Sequence, residues 1–228
     1  MKNLVYQYYY SIPKQDRTNH IIEDSNKYYE YSEKSIKKYA EKIGADYKFI
    51  NKPHPVHAFY GIFLPFTEGW CHEYDNVCWI DADILATKSA KNVFEIASNE
   101  VISANFMNTQ HRWKNNKMFE WWADKGHINS GVVVFPRSVY NELIEYLKDL
   151  EHMHKNRSVL ETSLGNFDQA IVNKFVRKQN KYFALGDDMN YHMTRKSHEN
   201  RFQQSLIHYH RKNKHMMEPD FKNDRILK

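Results

Sequence analysis

The chain has 228 residues, 41% hydrophobic and 27% charged, which is enough apolar material for one proper core, and a single domain over 1–228 is expected. A formal charge of +5 without a basic stripe favours an anionic small-molecule ligand over nucleic acid, and no apolar stretch approaches the roughly 20 residues that span a bilayer. Two cysteines give no disulfide framework, and the start lacks an apolar leader with a cleavage site, so a soluble, cytoplasmic protein with reduced thiols is expected.

Asn3 to Tyr10 reads as an aromatic-rich strand. A helix is predicted over Ser25 to Ile43, with Ile36, Tyr39, Ala40 and Ile43 at helical spacing and Gly44 as its left-handed cap. Asp46 to Ile50 reads as a second strand, and PVHAFYGIFLPF as a helix broken near Pro65. Asn76 to Ile80 is the third strand, Ala90 to Ser98 a short helix, Val101 to Phe106 a strand, and Ser130 to Phe135 an apolar run suited to mid-sheet. Ser138 to Glu151 sets Val139, Leu143, Leu147 and Leu150 on one helix side, and a further helix starts at Asn166 as N-cap. Tyr182 to Leu185 and Ser205 to His210 complete the strands. Their alternation with helices predicts an α/β sandwich on a mainly parallel sheet. No Gly-rich dinucleotide or P-loop sequence occurs, so a bound phosphate must be neutralised by other means.

The run VCWIDADILA delivers Asp81 and Asp83 to the end of a buried strand. Unpaired carboxylates are costly in an apolar setting, and a divalent cation is the simplest compensation. Residues two apart share a strand face, and a turn there would also converge them; the plainer reading is a pair capping the next turn. Oxygen ligands suit Mg²⁺ or Mn²⁺ bridging substrate phosphates. LIHYH alternates His208 and His210 onto one face, and an imidazole tilts the set toward Mn²⁺, although 13 histidines make such a pair easy by chance. Lys212 and Lys214 follow and could neutralise a diphosphate. Asn129, Ser130 and Gly131 precede a buried strand, where small polar side chains and bare backbone admit a ligand, or simply form a turn. In NFDQA, Asp168 at a helix start has a ready explanation in the helix dipole.

As an ordered set, WIDAD, INSGVVVF, FDQA and LIHYHRKNK resemble glycosyltransferase family 8, the glycogenin and lipopolysaccharide galactosyltransferase group. The resemblance runs from Tyr60 onward and implies a GT-A fold, a Rossmann-like α/β/α sandwich with a mainly parallel central sheet. It implies that Asp81, Asp83 and His208 hold Mn²⁺, with Mg²⁺ as the substitute, against the diphosphate of a nucleotide sugar, most often a UDP-sugar. Lys214 would offset charge on the departing diphosphate. Asn129, Ser130 and Asp168 would face the donor sugar, Gln169 would sit near the anomeric carbon, and Tyr6, Gln7 and Tyr8 would contact the base. Asp168 and Gln169 are thus the catalytic candidates, in a reaction that retains anomeric configuration and passes a hexose to a glycan or small-molecule acceptor. Trp113, within HRWKNNKMFEWW, is the acceptor candidate; Trp121 and Trp122 read as core.

The chain departs from that family in places. His57, Phe59 and Tyr60 stand where a basic residue is usual in the helix before the acidic strand, and Arg211, His215 and Met216 replace a Gly and a Pro-Trp pair after the metal histidine. Arg211 could take over a phosphate contact, and His210 could be an extra ligand or a neighbour orienting His208. VCWIDADIL and LGDDMNY also resemble the first and last acidic motifs of haloacid-dehalogenase-type phosphohydrolases, although some eighty residues precede the first motif here. A third alternative is a non-catalytic relative that binds nucleotide sugars.

Overall fold

A computed structural model describes residues 1–11, 28–107, 127–156, 167–193 and 198–228. Strand β1 (Asn3–Tyr8) is buried after its first residue and leads to helix α1 (Tyr28–Lys42). Gly44 ends α1 at φ 68°. The Ala45 N–H bonds the Ala40 carbonyl and the Gly44 N–H that of Glu41, a Schellman stop that turns the chain into β2 (Asp46–Ile50). The expected strand to Tyr10 stops at Tyr8, and the part of the expected helix before Tyr28 lies outside the described residues.

The segment read as a helix broken by Pro65 is instead a 3₁₀ turn (Ala58–Phe63) followed by α2 (Leu64–Thr67). Pro65 lies in the first turn of α2, where its missing N–H costs nothing. Next come β3 (Asn76–Ile80), the short β4 (Ile84–Ala86), α3 (Val93–Ile96), β5 (Ser103–Met107) and β6 (His127–Pro136). The helix expected over Ser138 to Glu151 is divided into α4 (Tyr140–Leu147) and α5 (Leu150–Lys155). Helix α6 (Phe167–Gln179), β7 (Phe183–Leu185), β8 (Tyr191–His192), β9 (Leu206–His208) and α7 (Met217–Phe221) follow. The proposed N-cap, Asn166, lies outside the described residues.

The main sheet has the order β2-β1-β3-β6-β5-β7. Every adjacent pair that excludes β6 is parallel, and β6 runs antiparallel to both β3 and β5, so the sheet is mainly parallel as expected. Alternate residues feed two cores. Tyr6, Trp79, Val133 and Phe135 pack with Leu143 of α4 and Val172 and Phe175 of α6 on one face. Val5, Cys78, Ile80, Val132 and Val134 meet Ile36, Tyr39 and Ala40 of α1 and Val93 of α3 on the other. This gives the α/β/α layering.

A second sheet, β4-β9-β8, was not apparent in the sequence: a strand was expected within Ser205 to His210, but its partners β4 and β8, of 3 and 2 residues, are too short for periodicity to register. It sets the site. Ile84 pairs directly with His208, which brings the histidine beside the turn holding Asp83. Strand β9 ends at His208, so His210 lies beyond it rather than alternating along it.

Candidate functional site

The acidic pair leaves β3 as a turn. Strand β3 ends at Ile80, and three hydrogen bonds hold the Asp81–Asp83 backbone: the Asp81 N–H to the Gly131 carbonyl at 2.8 Å, the Gln7 amide to the Asp81 carbonyl at 3.2 Å, and the Tyr209 N–H to the Asp83 carbonyl at 2.9 Å. Strands β1 and β6 and the residue that follows β9 therefore each fix one point of the turn. On β6 the pairing with β5 jumps from Val133 against Ala104 to Asn129 against Asn105, so Ser130 to Val132 have no partner on β5. Such bulges re-aim side chains and free backbone groups, here at the edge where the carboxylates emerge.

Four of the expected residues converge. His208 Nε2 is 3.1 Å from Asp83 Oδ1 and 3.6 Å from Asp81 Oδ2, and Lys214 Nζ is 3.1 Å from Asp83 Oδ2. Trp79 Nε1–H donates to Asp81 Oδ1 at 2.9 Å. One ligand atom each from Asp81, Asp83 and His208 lies within 4.8 Å of the others. His208 is 2% exposed, and its Nε2 is buried without a hydrogen-bond partner, close to two carboxylates but aligned with neither.

The electrostatics reflect crowding of like charge. Burial pushes Asp81 above the usual carboxylate range; His208 opposes this, while Asp83 and Asp168 add to it. Burial also disfavours ionised Asp83, yet Lys214 and His208 outweigh it and hold Asp83 below the usual carboxylate range. His208 loses solvation but gains more from Asp83 and Asp81, so it is raised; Lys214 is raised chiefly by Asp83. A hard oxygen pair with one imidazole, a carboxylate resisting ionisation and an imidazole nitrogen lacking a hydrogen bond together fit a divalent cation.

Next to this pole lies a polar wall. The Ser130 hydroxyl hydrogen-bonds Asp168, whose carboxyl burial lifts to about 6 against that bond. Gln169 Oε1 accepts from Asn129 Nδ2 and the Ser130 N–H, both at 3.4 Å. Asn173 holds α6 to β6: its Oδ1 accepts the Ile128 N–H at 2.7 Å and its Nδ2 donates to the Ile128 carbonyl at 3.0 Å and to the Gln169 carbonyl at 2.7 Å. That clamp fixes where Asp168 and Gln169 stand.

The three β1 side chains are committed inside the protein. The Tyr6 hydroxyl donates to the Gly61 carbonyl at 2.9 Å and that of Tyr8 to the Lys52 carbonyl at 2.9 Å. The Gln7 amide also donates to Ser32 and accepts from the Tyr47 hydroxyl. Half-buried Tyr9, the next residue, stacks on Tyr29 at 4.4 Å and is a candidate that sequence reasoning missed. Its signal was present, since Tyr9 follows directly on the strand named for the base.

His210 stays outside the three-residue ligand group, its ring 5.8 Å from that of His208. Lys212 is exposed. His57 caps its own 3₁₀ turn by accepting the Phe59 N–H, and the Tyr60 hydroxyl meets His154 Nδ1 at 3.2 Å. Trp113, Trp121, Trp122 and the Arg211 side chain lie outside the described residues. In LGDDMNY, Asp188 pairs with Lys91 at 3.0 Å, and neither Asp187 nor Asp188 joins the ligand group, so the phosphohydrolase reading lacks its second acidic cluster. The residue of that stretch which does reach the site is Asn190, which stands between His208 and Asn129.

No protein-family model matches the chain, and no curated protein does. Solved structures do. A glycosyltransferase involved in the glycosylation of the major capsid of PBCV-1 matches with a TM-score of 0.59 at 11% identity, over 97% of this chain and 99% of its own. GlyE of Streptococcus pneumoniae TIGR4, a glycosyltransferase in its apo form, matches with 0.58 at 15% identity, over 98% of this chain and 61% of GlyE. The galactosyltransferase LgtC, in complex with donor and acceptor sugar analogs, matches with 0.55 at 13% identity, over 96% of this chain and 95% of its own. The chain has the glycosyltransferase fold of GT-A type that its motifs imply.

Proposed function

We propose that the protein is a metal-dependent, retaining glycosyltransferase that moves a hexose from a nucleotide sugar, a UDP-sugar, to a hydroxyl of a glycan or small-molecule acceptor. The observation that supports this most is the convergence of Asp81, Asp83, His208 and Lys214 on the edge of a sheet shared with glycosyltransferases. Asp81, Asp83 and His208 would hold the ion, Mn²⁺ before Mg²⁺ because one donor is an imidazole. When bound, it supplies positive charge against the diphosphate oxygens.

The chain's own residues divide the remaining work. Lys214, which pairs with Asp83, would be the phosphate partner that stabilises negative charge on the leaving diphosphate. Asn129, Ser130 and Asp168 offer donors and acceptors to sugar hydroxyls, and Gln169 lies beside them for the reacting carbon. Tyr9, with Tyr29 stacked behind it, is the aromatic face for the base, while Tyr6, Gln7 and Tyr8 shape the strand beneath. Trp113 remains the acceptor candidate. One domain over 1–228 is proposed, and the two buried free thiols, Cys71 and Cys78, suit a reducing cytoplasm. No helix among the described residues is long and apolar enough to cross a membrane.

Calorimetric titration of UDP with and without Mn²⁺ tests the reading. Binding that requires the ion supports it, and UDP-galactose is the first donor to assay for hydrolysis or transfer, given the galactosyltransferase among the structural neighbours. Absence of UDP binding in both conditions would sink the UDP assignment. Metal-dependent UDP binding without turnover of any donor would favour a non-catalytic binding protein.

A further inference from the structure

We infer that Asn190 is a positioning residue that dictates which nitrogen of His208 faces the acidic pair, and that its own orientation is set by the backbone N–H of Gly131. The inference rests on the metal-site reading above. An imidazole can present either nitrogen to a ligand, and the outcome depends on the hydrogen bond made by the other. The polarity here can be traced to a backbone group that has no alternative.

The Gly131 N–H can only donate, and it lies 3.0 Å from Asn129 Oδ1, which fixes the amide oxygen of Asn129 on that side. The same oxygen lies 2.7 Å from Asn190, so Asn190 must turn its NH₂ group toward it. The Asn190 carbonyl oxygen is then left facing His208 Nδ1 at 2.9 Å, and an oxygen there can only accept. His208 must therefore carry a proton on Nδ1 and direct Nε2 at Asp81 and Asp83. Asn190 is 3% exposed, so both contacts are shielded from bulk solvent.

Two features enforce the sequence of bonds. A Cβ built on Gly131 would stand 2.6 Å from His208 Cε1, 2.7 Å from Nδ1 and 2.9 Å from Asn129 Oδ1, so only glycine leaves room for the ring against the strand. Register does the rest: Tyr191 and His192 pair with Ile207 and His208, which docks the residue preceding β8 against the histidine. The arrangement also ties the metal pole to the sugar wall, because the Asn129 side chain that orients Asn190 donates to Gln169 through its other end.

The test is nitrogen-15 NMR of the full chain labelled in histidine and free of metal, with the His208 signal assigned by its absence in His208→Gln. The expected result is a slowly exchanging proton on Nδ1. It should persist in Asn190→Asp, whose carboxylate still accepts from Nδ1 although it gives up the donated bond to Asn129 Oδ1, and be lost in Asn190→Leu, whose fold is checked by circular dichroism. A wild-type ring without a proton on Nδ1, or equal protection in Asn190→Leu, overturns the inference. Should Asn190→Leu fail to fold, Asn190→Asp decides, since loss of the Nδ1 proton there is equally fatal. Cadmium alone, a diamagnetic probe, should then shift Nε2 in the wild type and bind about tenfold more weakly to Asn190→Leu. No cadmium shift at His208 in the wild type would overturn the metal reading, and with it the purpose assigned to Asn190, whereas a shift with unchanged affinity in the leucine variant overturns the role of Asn190 alone.

Discussion

The Asp83 carboxylate lies between two nitrogens: Oδ2 is 3.1 Å from Lys214 Nζ while Oδ1 is 3.1 Å from His208 Nε2. Lys214 thus balances the charge of Asp83, the carboxylate that also faces His208. Lys214→Met should lower UDP affinity in Mn²⁺ by roughly ten- to a hundredfold, the range for losing a charge-assisted hydrogen bond. Mn²⁺ alone should bind at least as well as before, because its competitor for Asp83 is gone. Calorimetry for UDP and electron paramagnetic resonance of free Mn²⁺ measure the two. Unchanged UDP affinity would remove Lys214 from the diphosphate site.

Gly131 makes a steric prediction. Its backbone is not in the left-handed region, so Gly131→Ala is costly only through the Cβ that would meet the His208 ring and the Asn129 oxygen. Overpacking of this kind costs about 1–3 kcal/mol, and the ring should be displaced enough to weaken metal-dependent UDP binding. The double variant Gly131→Ala/His208→Ala should regain part of the lost thermal stability, since the clash has been removed from the other side. If the single variant is as stable as the parent and binds UDP equally, the close approach is not what glycine serves.

The sequence made the metal pole legible and left its supports hidden. Asp81, Asp83 and His208 stand where short apolar runs end in polar residues, a contrast visible without coordinates, and Lys214 follows in the basic RKNK. Asn190 carries no such contrast. It precedes a two-residue strand that shows no period, and the acidic residues beside it drew attention to another chemistry. Gln7 was legible as part of the first strand but not as the clamp on the Asp81 carbonyl, because that bond joins residues 74 apart. The β6 bulge was similarly hidden, since Ser130 to Val132 read as an ordinary entry to a strand. Periodicity reports which face is buried, whereas register and side-chain hydrogen bonds depend on partners distant in the chain.

His54 should make the protein acid-sensitive at a point away from the acidic pair. Its Nδ1 accepts the N–H groups of Val56 and His57 at 3.1 and 3.2 Å, which requires a neutral ring, and burial lowers it to about 4 despite Glu68. A histidine depressed below its unfolded value of about 6.5 contributes stability that is present above that value, declines as pH falls toward 4, and changes no further below. The contribution is at most about 3 kcal/mol on that span. His54→Asn keeps an acceptor for the turn without titrating, so its unfolding free energy should depend less on pH between 6.5 and 4 than that of the parent. Parallel curves from urea unfolding across this window would refute the assignment.

Gln169 separates binding from chemistry. Its Oε1 holds two long contacts of 3.4 Å, to Asn129 and to the Ser130 backbone. The clamp that positions this end of α6 is Asn173, which bonds the Gln169 backbone and not its side chain. Gln169→Ala should therefore fold normally and bind UDP and Mn²⁺ within about twofold of the parent, whereas turnover of the donor should fall by roughly a hundredfold, the scale for losing a group that acts at the reacting atoms. Asn173→Ala would behave differently, since it frees the helix end from β6: thermal stability, donor affinity and turnover should fall together. Steady-state rates with calorimetry on both variants distinguish the cases. Equal turnover in Gln169→Ala and the parent would exclude its side chain from the mechanism, leaving Asp168 as the residue of that helix to pursue.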